Sequence, residues 1–487
     1  MHTHLDNIRL KQKSKIRDLL NLGLIILLIL FSVQISLAQN QANIWLFGDY
    51  VGLDFNTGEP VIIPYVNTQY FNASATMCDP SGNLLFTFNA NTIRNKNGQI
   101  MQNGDGLIGH KVASMGALIV QKPGSNNLYY LFTVPRYTSY DGMYYSVVNM
   151  NLDGGLGAVT NEKNIPLEAA WDVLEKLVAV KHENGTDIWI ITRKFKDNCF
   201  ASFLLTKDGI ITQPILSPAK NSDFYEMLGN MKVSHDKKHL VVAYTDGQGI
   251  GALRQAYDIC NFNSSTGVID FLFTLTKNDG TTQKIFEPWA IEFSPDSKLL
   301  YLTFFNEAVG DLMELYQYDM QYYEDSLQLL QSEIKIATGP VNGLQLARDG
   351  KIYCTGDFYD HYDYVSVIHE PWKRGTVCNY EADAIYMGSN KVFEFLPNQL
   401  MDYLLPFEWD THCSHQPITF QPNFIPEPKR IEWDFGDPLS GDDNFSEGVI
   451  SCALFRSTWR LRGGGERVLS AYSFQSLWPT RKNLPRY

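Results

Sequence analysis

The densest group of side chains able to hold or move a cation is "GDFYDHYDY", Gly356 to Tyr364. Asp357, Asp360, His361 and Asp363 there offer carboxylate oxygens and an imidazole. Their spacing matches no ligand loop of the EF-hand kind, so the stretch also reads as a solvated loop between strands. "HCSH", His412 to His415, carries metal-capable groups without a second ligand pair at zinc-finger spacing, and reads as a domain boundary. The chain has no G-x-S-x-G, H-E-x-x-H, C-x-x-C or G-x-x-x-x-G-K-[ST]. No catalytic residue and no cofactor follow from these patterns. Tyr137, Tyr140, Tyr144 and Tyr145 can stack on a sugar or meet a protein, although packing along a rim is the commoner role of tyrosines in β-rich proteins.

The elements that must carry these residues are strands. Aromatics make up 13% of the 487 residues and charged residues only 19%, and long helical periodicities are scarce, which suits an all-β protein. A net charge of -13 argues against a nucleic-acid partner, because phosphate binding needs a basic footprint. At the N-terminus, Arg9, Lys11, Lys13, Lys15 and Arg17 precede the apolar run Leu19 to Ala38. Ser36 and Ala38 sit at the spacing of a signal-peptidase site, so residues 1–38 read as a signal peptide cleaved after Ala38. The alternative is a retained anchor. Cleavage implies export, to the exterior or cell surface, with no further membrane span. The seven cysteines (Cys78, Cys199, Cys260, Cys354, Cys378, Cys413 and Cys452) are widely spaced, so the chain is no dense disulfide scaffold.

One unit recurs: a short apolar strand, a tight turn of Asp, Asn, Gly, Ser or Pro, and a strongly apolar second strand. "SATMCDPSGNLLFTF", "ALIVQKPGSNNLYYLF", "LVAVKHENGTDIWIIT", "MKVSHDKKHLVVAY", "AIEFSPDSKLLYLTF" and "LQLARDGKIYCTG" are the examples. The turns centre near Ser81, Ser125, Gly185, Lys237, Ser297 and Gly350, at separations of 44, 60, 52, 60 and 53 residues. This period points to the blades of a WD40-like β-propeller. Second strands such as "LLYLTF" are apolar almost throughout, as expected of strands covered on both faces. The six hairpins give six blades. A seventh is expected if "NIWLFG" pairs with the segment near "KVFEFL" to close the ring. "LEAAWDVLEKLVAV", Leu167 to Val180, reads as a short helix followed by a strand.

"NIWLFGDYVGLDFNTGEPV" (Asn43 to Val61), "EKLVAVKHENGTDIWIITRKF" (Glu175 to Phe195), "LQLARDGKIYC" and "YVSVIHEPWKRGTVCNYEADAI" (Tyr364 to Ile385) carry a family resemblance. They resemble the propeller-like N-terminal region of large Bacteroidetes surface proteins. "LPNQ" departs from that family's commoner Leu-Pro-Asn-Phe. The resemblance implies PKD domains downstream and a gliding-motility-type sorting domain at the C-terminus. In keeping with it, Trp433, Asp434, Phe435, Gly436 and Asp437 match the Trp-Asp-Phe-Gly-Asp hallmark of a PKD domain, an immunoglobulin-like sandwich. These are structural roles: Trp433 and Phe435 inward, Gly436 in a turn, Asp434 and Asp437 bonding the loop.

The expected architecture is therefore a six- or seven-bladed β-propeller (39–408) followed by an incomplete PKD sandwich (409–450). Residues 451–487 break the pattern. They hold seven Lys and Arg against Glu466 alone, +6 out of a total of -13, leaving -19 for the rest. A frameshift near Ile450 explains this. Back-translating "FRSTWRLRGGGER" with permitted codons and reading one base later gives Ser-Ala-Pro-Pro-Gly-Gly-Tyr-Glu-Val-Glu-Val-Arg, the missing turn and strand of the sandwich. Sequencing the gene tests it: the idea fails if no single-base shift restores a β pattern. Without a sorting domain the product would stop in the periplasm. The function expected is a non-catalytic surface binding or scaffold protein whose partner is a surface protein or polysaccharide. The alternative is a propeller-type polysaccharide lyase or hydrolase. That would require carboxylates, or a His–Tyr pair, converging on the channel; two carboxylates facing each other about 5–10 Å apart would favour it.

Overall fold

The computed structural model describes residues 40–70, 72–136, 142–220, 228–245, 256–276, 286–306, 312–356, 363–388, 392–400 and 402. Five short strands between 407 and 453 are also described. Residues 1–38, expected to be a signal peptide, lie outside these residues. Among the described residues no helix is long and apolar enough to cross a membrane.

The six hairpins of the sequence become the first two strands of six antiparallel blades. Blade 1 holds Ala75–Cys78, Leu84–Phe88 and Ile93–Asn95; blade 2 runs from Ala117–Gln121 to Ile165–Pro166. Blade 3 starts at Val173–Lys181 and ends on the edge strand Ile215–Pro218. Blade 4 spans Met231–Val233 to Ile269–Leu275, blade 5 Phe286–Phe293 to Ile334–Gly339, and blade 6 Gly343–Leu346 to Tyr380–Tyr386. First strands of consecutive blades pack against one another, which places them around a central channel. Each runs from an upper face to a lower face. The first turn of every blade therefore lies on the lower face, and the link to the next blade returns on the upper one.

The turn chemistry does what its residue types allow. Gly82, Gly124, Gly185, Lys237, Ser297 and Gly350, one in each turn, adopt positive φ. In blades 4 and 5 a serine and an aspartate close the turn. Ser234 Oγ donates to Asp236 Oδ1 at 2.6 Å and accepts the His239 N–H at 2.9 Å; Ser294 does the same with Asp296 and Leu299 at 2.7 and 2.9 Å. Asp236 N–H donates to Ser297 Oγ at 3.0 Å, so neighbouring turns are tied together.

Second strands are buried on both faces, as their continuous apolar character requires. In Leu299–Asn306 of blade 5, Leu300, Leu302 and Phe304 pack on Val241, Ala243 and Ile259 of blade 4. The alternate residues Leu299 and Tyr301 pack on Leu344, Leu346 and Ile352 of blade 6. Polar stitches accompany this packing. Pro288 has no N–H, and the ladder shifts register between Pro288 and Ile291. Tyr257 of blade 4 fills the gap: its hydroxyl accepts from Trp289 N–H at 2.9 Å and donates to backbone carbonyls of blade 5.

The N-terminal ribbon pairs β1 (Ile44–Asp54) with β2 (Val61–Tyr70). It is wedged between the last blade and the first. Trp45, Phe47 and Leu53 pack on Tyr353, Val365 and Val367 of blade 6, while Ile44 and Leu46 meet Cys78 and Leu84 of blade 1. The expectation of a seventh blade from "NIWLFG" and "KVFEFL" is corrected: β1 pairs with β2, and residues 392–400 form no strand. Pro397 cannot donate to a ladder, which disfavours a central strand there. The short helix read at Leu167 is the 3-10 turn Glu168–Ala170, and the strand follows from Val173.

Beyond the propeller, Ile418–Pro422 pairs with Phe407–Trp409 and Ser451–Ala453, and Glu432–Asp434 pairs with Phe445–Glu447. Trp433 and Asp434 thus lie on a strand. Phe435, Gly436 and Asp437 lie outside the described residues.

Candidate functional site

The channel is where six blades could converge side chains on one ligand. Three of them do converge polar groups. Lys232, Glu292 and Gln345 occupy the same repeat position in blades 4, 5 and 6, two residues before Ser234, Ser294 and Ala347. The Lys232 ammonium meets Glu292 Oε2 at 2.9 Å and Gln345 Oε1 at 2.8 Å. Glu292 also accepts the N–H groups of Leu346 and Phe293, each at 2.9 Å. Burial alone would raise the Glu292 carboxyl, but the Lys232 ammonium and the His235 imidazole 3.6 Å away hold it down to about 2. Across the channel, Glu175 of blade 3 accepts from Ser114 N–H at 2.6 Å. Lys176 donates to the Gly229 carbonyl at 2.7 Å. A ladder shift between Val173 and Leu177 turns these two residues out of the sheet.

The channel is not open. After blade 6 the chain enters it at the upper face and threads to the lower one. Glu394 lies at the upper end. Its carbonyl accepts from Thr355 Oγ1 at 2.7 Å, and its carboxylate accepts from Asn72 at 3.0 Å. Phe395 stacks on Trp289 of blade 5 with centroids 5.8 Å apart. Halfway down, Asn398 N–H donates to Ser74 O at 2.8 Å beside blade 1, and its amide donates to Leu177 O at 3.0 Å in blade 3. At the lower face Asp402 is clamped by Lys237 Nζ at 2.6 Å and by Lys181 N–H at 2.9 Å. Burial acts to raise Asp402, yet Lys237 and Lys181 prevail and lower it. Gly343 marks how close the strap lies: a Cβ there would sit 2.0 Å from Glu394 O.

Two small cavities, of about 20 and 10 Å³, remain beside the strap. Ser114, Asn230, Lys232 and Asn398 line the first, and His235, Glu292 and Gln399 the second. Each has room for roughly one water molecule. The upper rim carries exposed aromatics. Trp171 is 39% exposed and sits 6.1 Å from Tyr144. Asp172 beside it accepts from Lys196 Nζ at 2.7 Å. On blade 6, Tyr386 is 54% exposed and lies 4.8 Å from Tyr364.

Of the four cation candidates, Asp357, Asp360 and His361 lie outside the described residues, as do Tyr137, Tyr140 and "HCSH". Asp363 is described, and its carbonyl accepts from Met387 N–H at 2.7 Å. Among the described residues no three His, Cys, Asp or Glu cluster as metal ligands. Tyr145 is a packing residue, stacked on Tyr130 at 5.5 Å. Cys78, Cys199, Cys260, Cys354 and Cys378 are free and buried, and burial pushes the Cys78 thiol up to about 12. The channel residues escaped sequence reading. The signal for them was a charge or amide interrupting an apolar strand at one repeat position: "MKVS", "IEFS", "LQLA".

No family model matches the chain, and no curated protein matches it. Solved structures do. A 6-phosphogluconolactonase candidate from Bacteroides uniformis is 12% identical over 73% of this chain and 98% of its own, with a TM-score of 0.41. The periplasmic gluconolactonase of Pseudomonas aeruginosa is 10% identical over 72% and 97%, also at 0.41. The extracellular domain of a candidate one-component system from Bacteroides thetaiotaomicron is 11% identical over 79% of this chain and 37% of its own, at 0.32. At these identities and TM-scores the matches carry no argument about activity.

Proposed function

We propose that the chain is an exported, non-catalytic binding or scaffold protein. Its propeller is a rigid platform whose upper rim meets a surface polysaccharide or protein, and a PKD-type module follows as a spacer. One observation carries this reading: the channel, where a lyase or hydrolase site would lie, is filled by residues 392–400 and Asp402. The carboxylates around it are each engaged, Glu292 by Lys232, Asp402 by Lys237, Glu394 by Asn72 and Glu175 by Ser114. A carboxylate held by a neighbouring ammonium at about 2 is a poor general acid near neutral pH. The exposed Trp171 and Tyr386 offer flat apolar surface on the rim, of the kind that stacks on sugars or anchors a protein interface. The leader supports export, and Trp433 to Asp437 support the PKD module.

The test applies the full-length mature chain to glycan and surface-protein arrays, with a parallel assay for new reducing ends or unsaturated uronates on the same polysaccharides. Retention on one ligand class without product is expected. Product formation by the wild-type chain that Glu292→Gln abolishes would overturn the reading in favour of a channel enzyme.

A further inference from the structure

Four backbone segments meet over the upper ends of blades 2 and 3, and they set one rim aromatic among cations. The link from blade 1 brings His110 and Lys111. It is anchored where the Lys111 carbonyl accepts from Ala73 N–H at 3.1 Å and the Ile108 carbonyl accepts from Thr133 Oγ1. Thr133 ends the second strand of blade 2, and Arg136 follows it into the next loop. Thr133 pairs with Tyr144, whose ring lies 6.1 Å from Trp171 on the link to blade 3. Gly142 makes room for that indole: a Cβ there would sit 2.3 Å from the ring. Lys196, in the corresponding loop of blade 3, reaches back to Asp172 at 2.7 Å. His110, Lys111, Arg136, Trp171 and Lys196 thus follow one another along the rim in blade order.

The charges here bear on one another. Burial first, and then Arg136 and Lys111, lower the His110 imidazole below its ordinary value. Its Nδ1 accepts from Val112 N–H at 3.2 Å, so the neutral ring presents Nε2–H as a donor. Among the carboxylates of this sector, Asp172 pairs with Lys196 and Asp197 with Lys194, while Glu168 stays exposed on its 3-10 turn. The Trp171 face is therefore bordered by charged groups. A protein interface is depleted of charge at its core, whereas a sugar ring can stack its C–H face on one aromatic and send its acid groups sideways.

We infer that this row binds an acidic polysaccharide, a uronate-bearing or sulfated sugar chain, with one ring stacked on Trp171 and its acid groups taken by Lys111, Arg136 and Lys196. This role rests on the rim being the binding face, as proposed above, and narrows the ligand to one class and the face to blades 2 and 3. The Arg136 guanidinium suits a carboxylate or sulfate through paired N–H donors, and the ammonium groups flank it. A row of cations suits a polymer that repeats its charge, because each exposed contact alone is worth little and the gain comes from several at once. The net charge of -13 does not prevent this, since charges beyond about 8–10 Å are largely screened at physiological salt.

The full-length mature chain is tested on polygalacturonate against the same polymer with its carboxyls reduced, and on dextran sulfate against dextran. Binding at least about tenfold tighter to one acidic polymer or both than to the neutral parent is expected, and the pair that shows it tells carboxylate from sulfate. That binding should weaken by about tenfold or more between about 50 and about 300 mM salt. Lys111→Gln and Arg136→Gln should each weaken it about threefold to tenfold, and Trp171→Ala about tenfold or more. Lys207→Gln, beside the lower turn of blade 2 at Gly124, should leave it unchanged. If Arg136→Gln does not fold, Lys111→Gln gives the same reading. Equal binding to acidic and neutral polymers, or binding to neither acidic polymer, overturns the inference. The rim reading then still stands if Trp171→Ala weakens retention of whatever ligand the arrays find. Acidic-polymer binding that ignores Lys111, Arg136 and Trp171 alike overturns both.

Discussion

Two interfaces inside one propeller use similar residues to opposite effect. Between blades 4 and 5 the backbone N–H groups that the register shift releases find fixed partners. The Trp289 N–H freed by Pro288 is taken by Tyr257, and Ala290 N–H donates to Thr303 Oγ1 at 2.9 Å. Between ring and strap, both amide atoms of Gln399 are left without a hydrogen-bond partner in the protein although buried. The difference follows from register. Blades repeat, so one blade's side chain meets the next at the same height and pairs can be fixed once for all. The strap occurs once and must satisfy six different walls with eleven residues. The repeat interface thus pairs its backbone groups locally, and the unique segment threaded through the ring is held by side-chain bonds and apolar packing instead.

Breaking the ring should cost more than breaking the strap. Glu292→Gln leaves the Lys232 ammonium buried and without its counter-charge, and should cost about 3–5 kcal/mol in denaturant unfolding. The pH dependence sharpens this. The Glu292 carboxyl is depressed to about 2 in the folded chain. Its contribution is therefore full above the unfolded carboxyl value of about 4.3 and is lost as pH falls towards 2. Stability measured across that window should fall in the wild type and fall less in Glu292→Gln. Tyr257→Phe comes next. It keeps the ring but strands the Trp289 N–H, for about 1–3 kcal/mol in the same measurement. An unchanged midpoint there would show that the blade 4–5 stitch contributes nothing. Gly343→Ala probes the strap side. The new Cβ needs space held by Glu394 O at 2.0 Å and Thr355 Oγ1 at 2.3 Å, so about 1–2 kcal/mol is expected. The loss should show as a lower midpoint in the same unfolding measurement.

The same contrast decides what could be read from the sequence. The turn at Lys237 or Ser297 is a local matter: a Ser, an Asp and one residue tolerating positive φ declare it within five positions. Six such turns at a steady period made the blades legible. The strap is not a local matter. "KVFEFLPNQL" alternates enough to resemble a strand, and Pro397 is the only sign within it that no ladder forms. Its partners Asn72, Leu177 and Lys181 lie hundreds of residues away, and nothing in "NGL" shows that Gly343 must stay bare for Glu394. The Lys232–Glu292–Gln345 cluster was half-legible, since all three sit at one repeat position, but their convergence needed the ring. Asp357, Asp360 and His361 drew attention by chemical type alone, without a frame of repeated positions around them.

The smallest expected change in stability belongs to the rim and bears most directly on function. Trp171 closes no blade. It follows the 3-10 turn Glu168–Ala170 and keeps 39% of its surface exposed, its ring edged against Gly142 and Tyr144. Trp171→Ala removes that partial packing without leaving a buried polar atom, so the unfolding midpoint should move by about 1 kcal/mol or less. If the upper rim is the binding face, the same substitution should weaken retention on the ligand found by the arrays by about tenfold or more, because exposed aromatics carry a disproportionate share of interface energy. Tyr386→Ala on blade 6 asks whether one ligand spans the rim. Loss with both substitutions favours a partner reaching across the face, whereas loss with Trp171→Ala alone confines it to blades 2 and 3. Retention unaffected by either would move the binding surface off the rim, leaving the lower turns beside the emerging strap as the place to look.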